Sequence, residues 1–275
     1  MLTDRARIWH TILWISIEER LVYRTDFAVA TLMRFIPVVT QIFFWTAVFS
    51  AARTEKIASF TRDSMIAYYL LVMVSRALSS MPGLASGIAL QIRDGEIKKF
   101  LIQPIDLIGF LLLQRVAHKL IYYLVAFIPF AVVFFVARGF FPGWPEPEVL
   151  AAYFAALTMS FLIGFFLEAT IGLIGFWFLE VTSLLFIYML LNFILSGHMF
   201  PLDLVAGWSE TAAMLIKALP LYYLAGFPAE VFLGIADGAE LRRGLWIQFG
   251  WVLVFLILCR ASLHYGVRRY SGFGG

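Results

Sequence analysis

Apolar residues run in long blocks along this chain, and charged residues fall almost entirely in the gaps between them. A bilayer core of about 30 Å takes roughly 20 apolar residues as a helix, and six stretches answer to that pattern. Residues 27–52 hold an uncharged run from Phe35 to Ala52, and residues 65–92 are interrupted only by Arg76. Residues 107–137 are uncharged from Leu120 onward, residues 149–171 apart from Glu168, and residues 178–199 apart from Glu180. The last block, residues 244–267, is uncharged from Gly244 to Cys259, with Arg243 and Arg260 at its ends able to extend outward to water. Six spanning helices are therefore predicted, with the glycine-containing stretch from Ala169 to Leu179 as a tight turn around Gly172 and Gly175.

Three further segments are apolar without being simple spans. In residues 1–25, Asp4, Arg7, Thr11 and Glu18 recur at helical spacing opposite Ile8, Ile12 and Ile15, and Trp9 and Trp14 add amphipathic rings. That pattern predicts a helix lying on the membrane surface, and the acidic residues along it do not suit a cleaved leader. Residues 93–104 place Ile97, Phe100 and Leu101 at i, i+3, i+4, with Glu96, Lys98 and Lys99 elsewhere around the turn. Gly95 allows a sharp exit from the preceding helix and Pro104 ends the short one, so a small amphipathic helix is expected between spans two and three. Residues 200–234 are apolar but broken by Pro201, Gly207, Pro220, Gly226, Pro228 and Gly234. They read as a re-entrant pair of short helices, tolerated where protein buries the interruptions.

Composition agrees with lipid as the solvent: 62% of the 275 residues are apolar and 14% charged, against roughly 45–50% and 25% in soluble domains. Mean hydropathy is +0.88. The chain therefore reads as an all-α membrane protein forming a single permease-like domain over residues 1–275, with no nucleic-acid partner implied by its modest net charge of +3. Seven basic residues (Arg53, Lys56, Arg62, Arg138, Lys217, Arg242 and Arg243) fall on one side of the predicted spans, Arg76 lies within one, and the other thirteen fall on the opposite side. The excess of Lys and Arg on cytoplasmic loops then puts both termini in the cytoplasm of a plasma or inner membrane. Arg242 and Arg243 run against that count. Trp144, Trp208 and Trp246 fall near the outer interface on this reading.

No catalytic constellation is visible. The chain has no phosphate loop ending in Gly-Lys-Ser/Thr, no HExxH and no G-x-S-x-G elbow. His10, His118, His198 and His264 lie on separate segments without ligand spacing, and the single Cys259 excludes an internal disulfide or a cysteine metal cluster. Neither metal nor cofactor is expected in this chain. Arg76, eleven residues into its span, is the sharpest chemical feature: at about 1.5 Å per residue it sits near mid-bilayer, where a charge marks a pathway or a partner. Trp45 and Phe49 on the first span and Asn192 on the fifth complete the candidate substrate path.

The segment Arg93-Asp94-Gly95-Glu96-Ile97, continued by Lys98, Lys99, Phe100, Leu101, Ile102, Gln103 and Pro104, resembles the cytoplasmic loop of type-2 ABC transporter permeases. Leu195-Ser-Gly-His-Met-Phe-Pro-Leu-Asp203, Leu219 to Leu224, Pro228-Ala-Glu230 and Gly234 are similar to the re-entrant segment of the same family, and Arg268 to Gly274 to the ending of one of its branches. The resemblance implies that residues 93–104 form the coupling helix that contacts ATPase subunits. It further implies an exporter of an amphipathic or hydrophobic substrate, built as a dimer with an identical or paralogous permease. Two separate ATPase chains would carry Mg-ATP and do the hydrolysis.

Overall fold

The computed structural model describes the backbone of residues 2–21, 24–178, 180–207 and 209–270. Within these ranges it describes the side chains of residues 7–19, 33 and 35 onward. The expected interfacial Trp208, the acidic side chain of Asp4 and the ending beyond Tyr270 lie outside what is described. The described chain is almost entirely helical: α1 (Leu2–Leu21), α2 (Arg24–Ala52), α3 (Arg62–Ser79), α4 (Leu84–Arg93), α5 (Lys98–Leu101) and α6 (Leu107–Val136) are followed by α7 (Pro147–Leu173), α8 (Thr182–Leu195), α9 (Asp203–Ala206), α10 (Glu210–Ala218), α11 (Gly226–Phe232) and α12 (Gly238–Arg269). A two-stranded hairpin, β1 (Lys56–Ile57) with β2 (Phe60–Thr61), pairs Lys56 with Thr61 and Ile57 with Phe60.

Local sequence sets several of these ends. Thr61 and Ser64 form a reciprocal capping box at the start of α3, the Ser64 N–H donating to Thr61 Oγ1 at 3.2 Å and the Thr61 N–H to Ser64 Oγ at 2.8 Å. Asp106 caps α6 by accepting the Gly109 N–H at 2.9 Å, Ser209 caps α10 by accepting the Ala212 N–H at 3.2 Å, and Pro147 opens α7 where its missing N–H is harmless.

Five segments are long and apolar enough to cross a membrane: Phe35–Ala52, Arg62–Arg93, Leu107–Phe140, Pro147–Phe176 and Gly238–Arg269. The predicted fifth span differs. Its helix, α8, has 14 residues, which at about 1.5 Å each reach some 21 Å. The predicted turn from Ala169 to Leu179 also differs, because α7 runs on through Leu173 into a 3-10 turn over Ile174–Phe176. Gly172 and Gly175 are therefore helical packing positions rather than turn residues: a Cβ on Gly172 would stand 2.7 Å from the Ala85 carbonyl, and one on Gly175 would stand 3.2 Å from Ala89 Cα. Glycine allows this close approach of helices, and without a hydrophobic drive in lipid such packing is a main source of association.

The chain divides into two compact units. One comprises residues up to Val39 together with Lys98–Arg138. In it α1 lies along α6, with the Trp9 ring against Gly109, and Phe35 packs edge-on against Phe130 at 5.5 Å between ring centroids. On α1, Arg7, Thr11 and Glu18 are exposed as predicted, but Ile8, Trp14 and Ile15 are also half or more exposed and Ser16 is buried. The face of α1 turned to protein is thus not the isoleucine stripe.

The other unit comprises Thr40–Ile97 and Gly139 onward. At its centre α7 packs against α12, α4, α3 and α11. The predicted second span is two helices here. Ser80 to Gly83 break it, with Gly83 at φ +73°, a conformation that costs glycine nothing. Gly164 of α7 presses on the Ser79 carbonyl at that break, leaving no room for a Cβ.

Candidate functional site

The break between α3 and α4 releases backbone donors in an apolar stretch, where an unpaired N–H costs several kcal/mol. The Met81 N–H is answered by Glu168 Oε1 of α7 at 3.3 Å. Glu168, the one charge in its predicted span, thus reaches the interrupted second helix. Tyr188 of α8 hydrogen-bonds Glu168 and feels the charge of Arg76, and Arg76 also acts on His198. Arg76 lies in the last turn of α3, its carbonyl accepting the Ser80 N–H at 3.0 Å. Glu168 and Arg76 thus both adjoin the break, and Tyr188 and His198 lie within electrostatic reach of that pair. Asn192, one turn beyond Tyr188, shares that face of α8.

Trp45 and Phe49 lie together, their rings 6.3 Å apart, and Trp45 stacks on Tyr69 of α3 at 6.2 Å. Both are buried. Beside Trp45 opens a cavity of about 510 Å³ lined by Thr40, Gln41, Phe44, Met199, Phe200 and Leu204 among others. A largely apolar cavity with two polar groups on one wall suits an amphipathic molecule. Three of the candidate pathway residues are therefore divided: Trp45 and Phe49 belong to this aromatic group, whereas Arg76 adjoins the helix break.

Below the break, α4 ends at Arg93, and the chain turns back so that the Ile97 N–H donates to the Gln91 carbonyl at 2.9 Å. Gly95 supports that turn at φ +75°. Arg93 and Asp94 are exposed and paired to each other at 3.3 Å, Glu96 is exposed, and Ile97 is buried. In the other unit, α5 is a single turn from Lys98 to Leu101. Lys98 and Lys99 are exposed, Phe100 and Leu101 half-buried, and Phe100 packs against Phe110 at 5.5 Å. Ile102 is 84% exposed and Gln103 and Pro104 are exposed beside it. The predicted amphipathic helix over residues 93–104 is therefore a turn followed by one helical turn, because Gly95 and Pro104 leave no room for more. Ile97 seals the turn, and the outward apolar residue is Ile102, which helical spacing does not single out.

The segment from Leu195 to Gly234 is broken into short helices, and the carbonyls of Ser196, Gly197 and Met199 at its start each have a partner. Tyr68 donates to the Gly197 carbonyl at 2.8 Å, Tyr69 to the Met199 carbonyl at 3.0 Å, and the Gly226 N–H to the Ser196 carbonyl at 2.9 Å. Gln248 of α12, fully buried, donates to the carbonyls of Ala156 and Tyr223 and to Ser160 Oγ at 2.9, 3.2 and 3.1 Å. Further along, Lys217 lies 2.5 Å from Asp203, 3.7 Å from Glu230 and 3.9 Å from Glu240, and Tyr222 donates to Glu230. The segments quoted for the resemblance contain Asp203, Tyr222 and Glu230, but no motif pairs them with Lys217. The signal for the pairing is the presence of charged residues in a largely apolar, proline-broken segment.

A family model described as "ABC-2 family transporter protein" matches residues 35–274, which takes in the broken second span, the loop at residues 93–104 and the irregular segment. The chain belongs to the ABC-2 transporter family. No curated protein matches it. As an ABC-2 permease it is a multi-pass membrane protein, and the family's members are membrane subunits that work with ABC ATPases. The split second span, the polar group around Glu168 and the hydrogen-bonded irregular segment are accordingly features of a transporter's membrane domain.

Proposed function

We propose that this permease is the membrane half of an ATP-driven exporter of amphipathic or hydrophobic molecules. The membership of the ABC-2 family carries the reading, and the apolar cavity beside Trp45 and Phe44 supports the substrate class. Two copies, or this chain with a paralogue, flank the path, and two ATPase subunits bind from the cytoplasm and hold Mg-ATP. The loop at residues 93–104 is their docking point, with Arg93, Asp94, Glu96, Lys98, Lys99 and Gln103 as its charged and polar rim. Phe100, Leu101 and the exposed Ile102 are the apolar anchors, a pattern suited to a groove on a partner.

In this reading the chain crosses the membrane six times with both termini in the cytoplasm. The fifth crossing uses the short α8, supported by the absence of charge from Val181 to Leu202 and by protein hydrogen bonds to the irregular residues that follow it. Arg76 and Asn192 line the polar part of the path and Trp45 and Phe49 the apolar part. The test is affinity purification of the tagged chain from its own membrane in mild detergent, with mass spectrometry of its companions. A phosphate-loop ATPase in near-equal amount is expected. A chain that comes alone, with no response to magnesium-ATP, overturns the exporter in favour of a secondary transporter or scaffold.

A further inference from the structure

Residues Gly226 to Val231 of α11 are all buried, and among them is a carboxylic acid, Glu230, 1% exposed. Tyr222 donates to its Oε2. Lys217 stands 3.7 Å from the same oxygen but 2.5 Å from Asp203, so its charge is divided between two carboxylates. Oε1 of Glu230 is buried and, among the described residues, meets no hydrogen-bond partner. An ionised carboxylate accepts on both oxygens, and an unmet buried oxygen costs more on a charged group than on a neutral one.

The elements packed on α11 do not supply the missing donor. From α3, the Tyr68 hydroxyl donates to the Gly197 carbonyl. From α7, Tyr153 packs its ring on Phe232 at 5.1 Å between centroids. The turn before α11 brings Tyr222, already used, and Tyr223, while Asp203 of α9 and Glu240 of α12 add only negative charge.

A second, smaller cavity of about 280 Å³ lies one side chain away. Lys217, Tyr222, Tyr223, Phe227, Glu240 and Arg243 are among its lining residues, so the two groups nearest the Glu230 carboxyl also wall the cavity. The helix that supplies Lys217 is lightly held. Ala213 is the buried residue of α10, Met214 and Leu215 are each 65% exposed, and at its end Trp251 donates to the Ala218 carbonyl at 3.0 Å. A segment with so few buried contacts opens at low cost.

We propose that Glu230 is a proton-binding switch that sets whether α10 stays closed over the irregular segment. With the proton on, Glu230 is neutral and tolerates its unmet oxygen, and α10 remains seated. When the proton leaves to water through the cavity, the carboxylate lacks donors inside, and α10 lifts to admit water. Burial, opposed by Lys217, raises the carboxyl to about 7. The closed form therefore holds the proton more tightly than the open one, and rising pH favours opening. The switch goes beyond ATP-driven export and depends on neither its cargo nor its direction.

Amide hydrogen exchange of the purified full chain tests it, read over residues 210–218 at pH 5 and pH 8 and divided by the intrinsic rate at each pH. Wild type is expected to open about tenfold more at pH 8, the linkage of roughly one pKa unit. Residues 160–167 of α7, nearly all buried, are expected to exchange alike at both. Glu230→Gln, neutral and of the same size, removes the pH dependence, whereas Glu240→Gln, at a side chain 64% exposed, keeps it. Lys217→Met leaves the carboxyl in place without its opposing charge and moves the rise to higher pH. Equal opening of wild type at the two pH values overturns the switch, as does a rise that persists in Glu230→Gln or stays unmoved in Lys217→Met. A rise of the same size in α7 overturns it in favour of unfolding of the whole chain.

Discussion

The Met81 N–H and the Glu168 carboxylate meet across 3.3 Å, one at the broken end of α3 and the other near the C-terminal end of α7. One turn earlier on the same face of α7, Gly164 lies against the Ser79 carbonyl. One helix thus both makes room for the interruption in its neighbour and satisfies a donor that the interruption frees. A transporter needs helices that bend at a defined place, and a break whose polar groups have partners on a neighbouring helix is such a place.

Removing that acceptor leaves a half-buried donor unpaired. Glu168→Ala is expected to lower stability by about 1–3 kcal/mol, read as a fall in the thermal midpoint of the purified chain. Glu168→Gln, which still presents a carbonyl oxygen to Met81, keeps more of it. Equal midpoints for Glu168→Ala and wild type would show that water serves the break instead.

Gly164→Ala tests the packing half of the arrangement. The added methyl group meets backbone rather than a flexible side chain, so a loss of about 1–3 kcal/mol is expected from overpacking. Gly250→Ala on α12 is the control. Nothing lies within 4 Å of its Cβ position, and helix propensity alone changes stability there by up to about 1 kcal/mol, in the favourable direction.

Docking of the ATPase is tested at Phe100, Leu101 and Ile102. Replacing Ile102 with Asp, alone or with Leu101→Asp, is expected to reduce ATPase recovery in purification at least tenfold, the scale of a lost apolar anchor. The thermal midpoint should hold, since these side chains are half or fully exposed. Undiminished recovery with both replaced would move the docking point elsewhere.

Stability should also depend on pH through Glu230, which lies outside the five long apolar segments. Burial, opposed by the nearby Lys217, lifts its carboxyl from 4.5 to about 7. Burial pulls Lys217 down, but Glu230, Asp203 and Glu240 more than offset it, so the ammonium stays charged. A carboxyl whose folded value lies above its unfolded one holds its proton more tightly in the native chain. Its contribution is therefore fully present below about pH 4.5 and lost as pH rises through about 7. The thermal midpoint of wild type is expected to fall between pH 5 and pH 8, and Glu230→Gln to flatten that slope. A wild-type midpoint that rises over this interval would contradict the burial.

Helices and their lipid setting were legible in the chain because both depend on runs of residues. A block without charge must be hidden from water wherever it folds, so Phe35–Ala52 and Gly244–Cys259 read as helices in lipid from composition alone. The sharp exit at Gly95 was legible because glycine takes the positive φ found there without cost. The family resemblance was carried by the order of such segments. The turn predicted around Gly172 and Gly175 failed for a related reason: glycine serves both to bend a chain and to admit a neighbour, and sequence spacing does not distinguish the two uses. Only the placement of Ala85 and Ala89 against α7 decides it.

Partners distant in sequence were not legible at all. Met81 and Glu168 are 87 residues apart, Gln248 and Ala156 are 92, and Tyr68 and Gly197 are 129. Alone, each is one polar atom in an apolar segment, and the energy that makes it acceptable resides in the other member. The residues by themselves determined that the chain lies in a membrane as helices and which family it resembles. Only the tertiary structure decided which atoms close the breaks, that Glu240 and Arg243 share a cavity with three aromatic rings, and that Trp45 and Arg76 belong to different groups. Hydrophobicity acts on area and is additive along the chain, whereas a hydrogen bond or an ion pair exists only between two positions that folding has brought together.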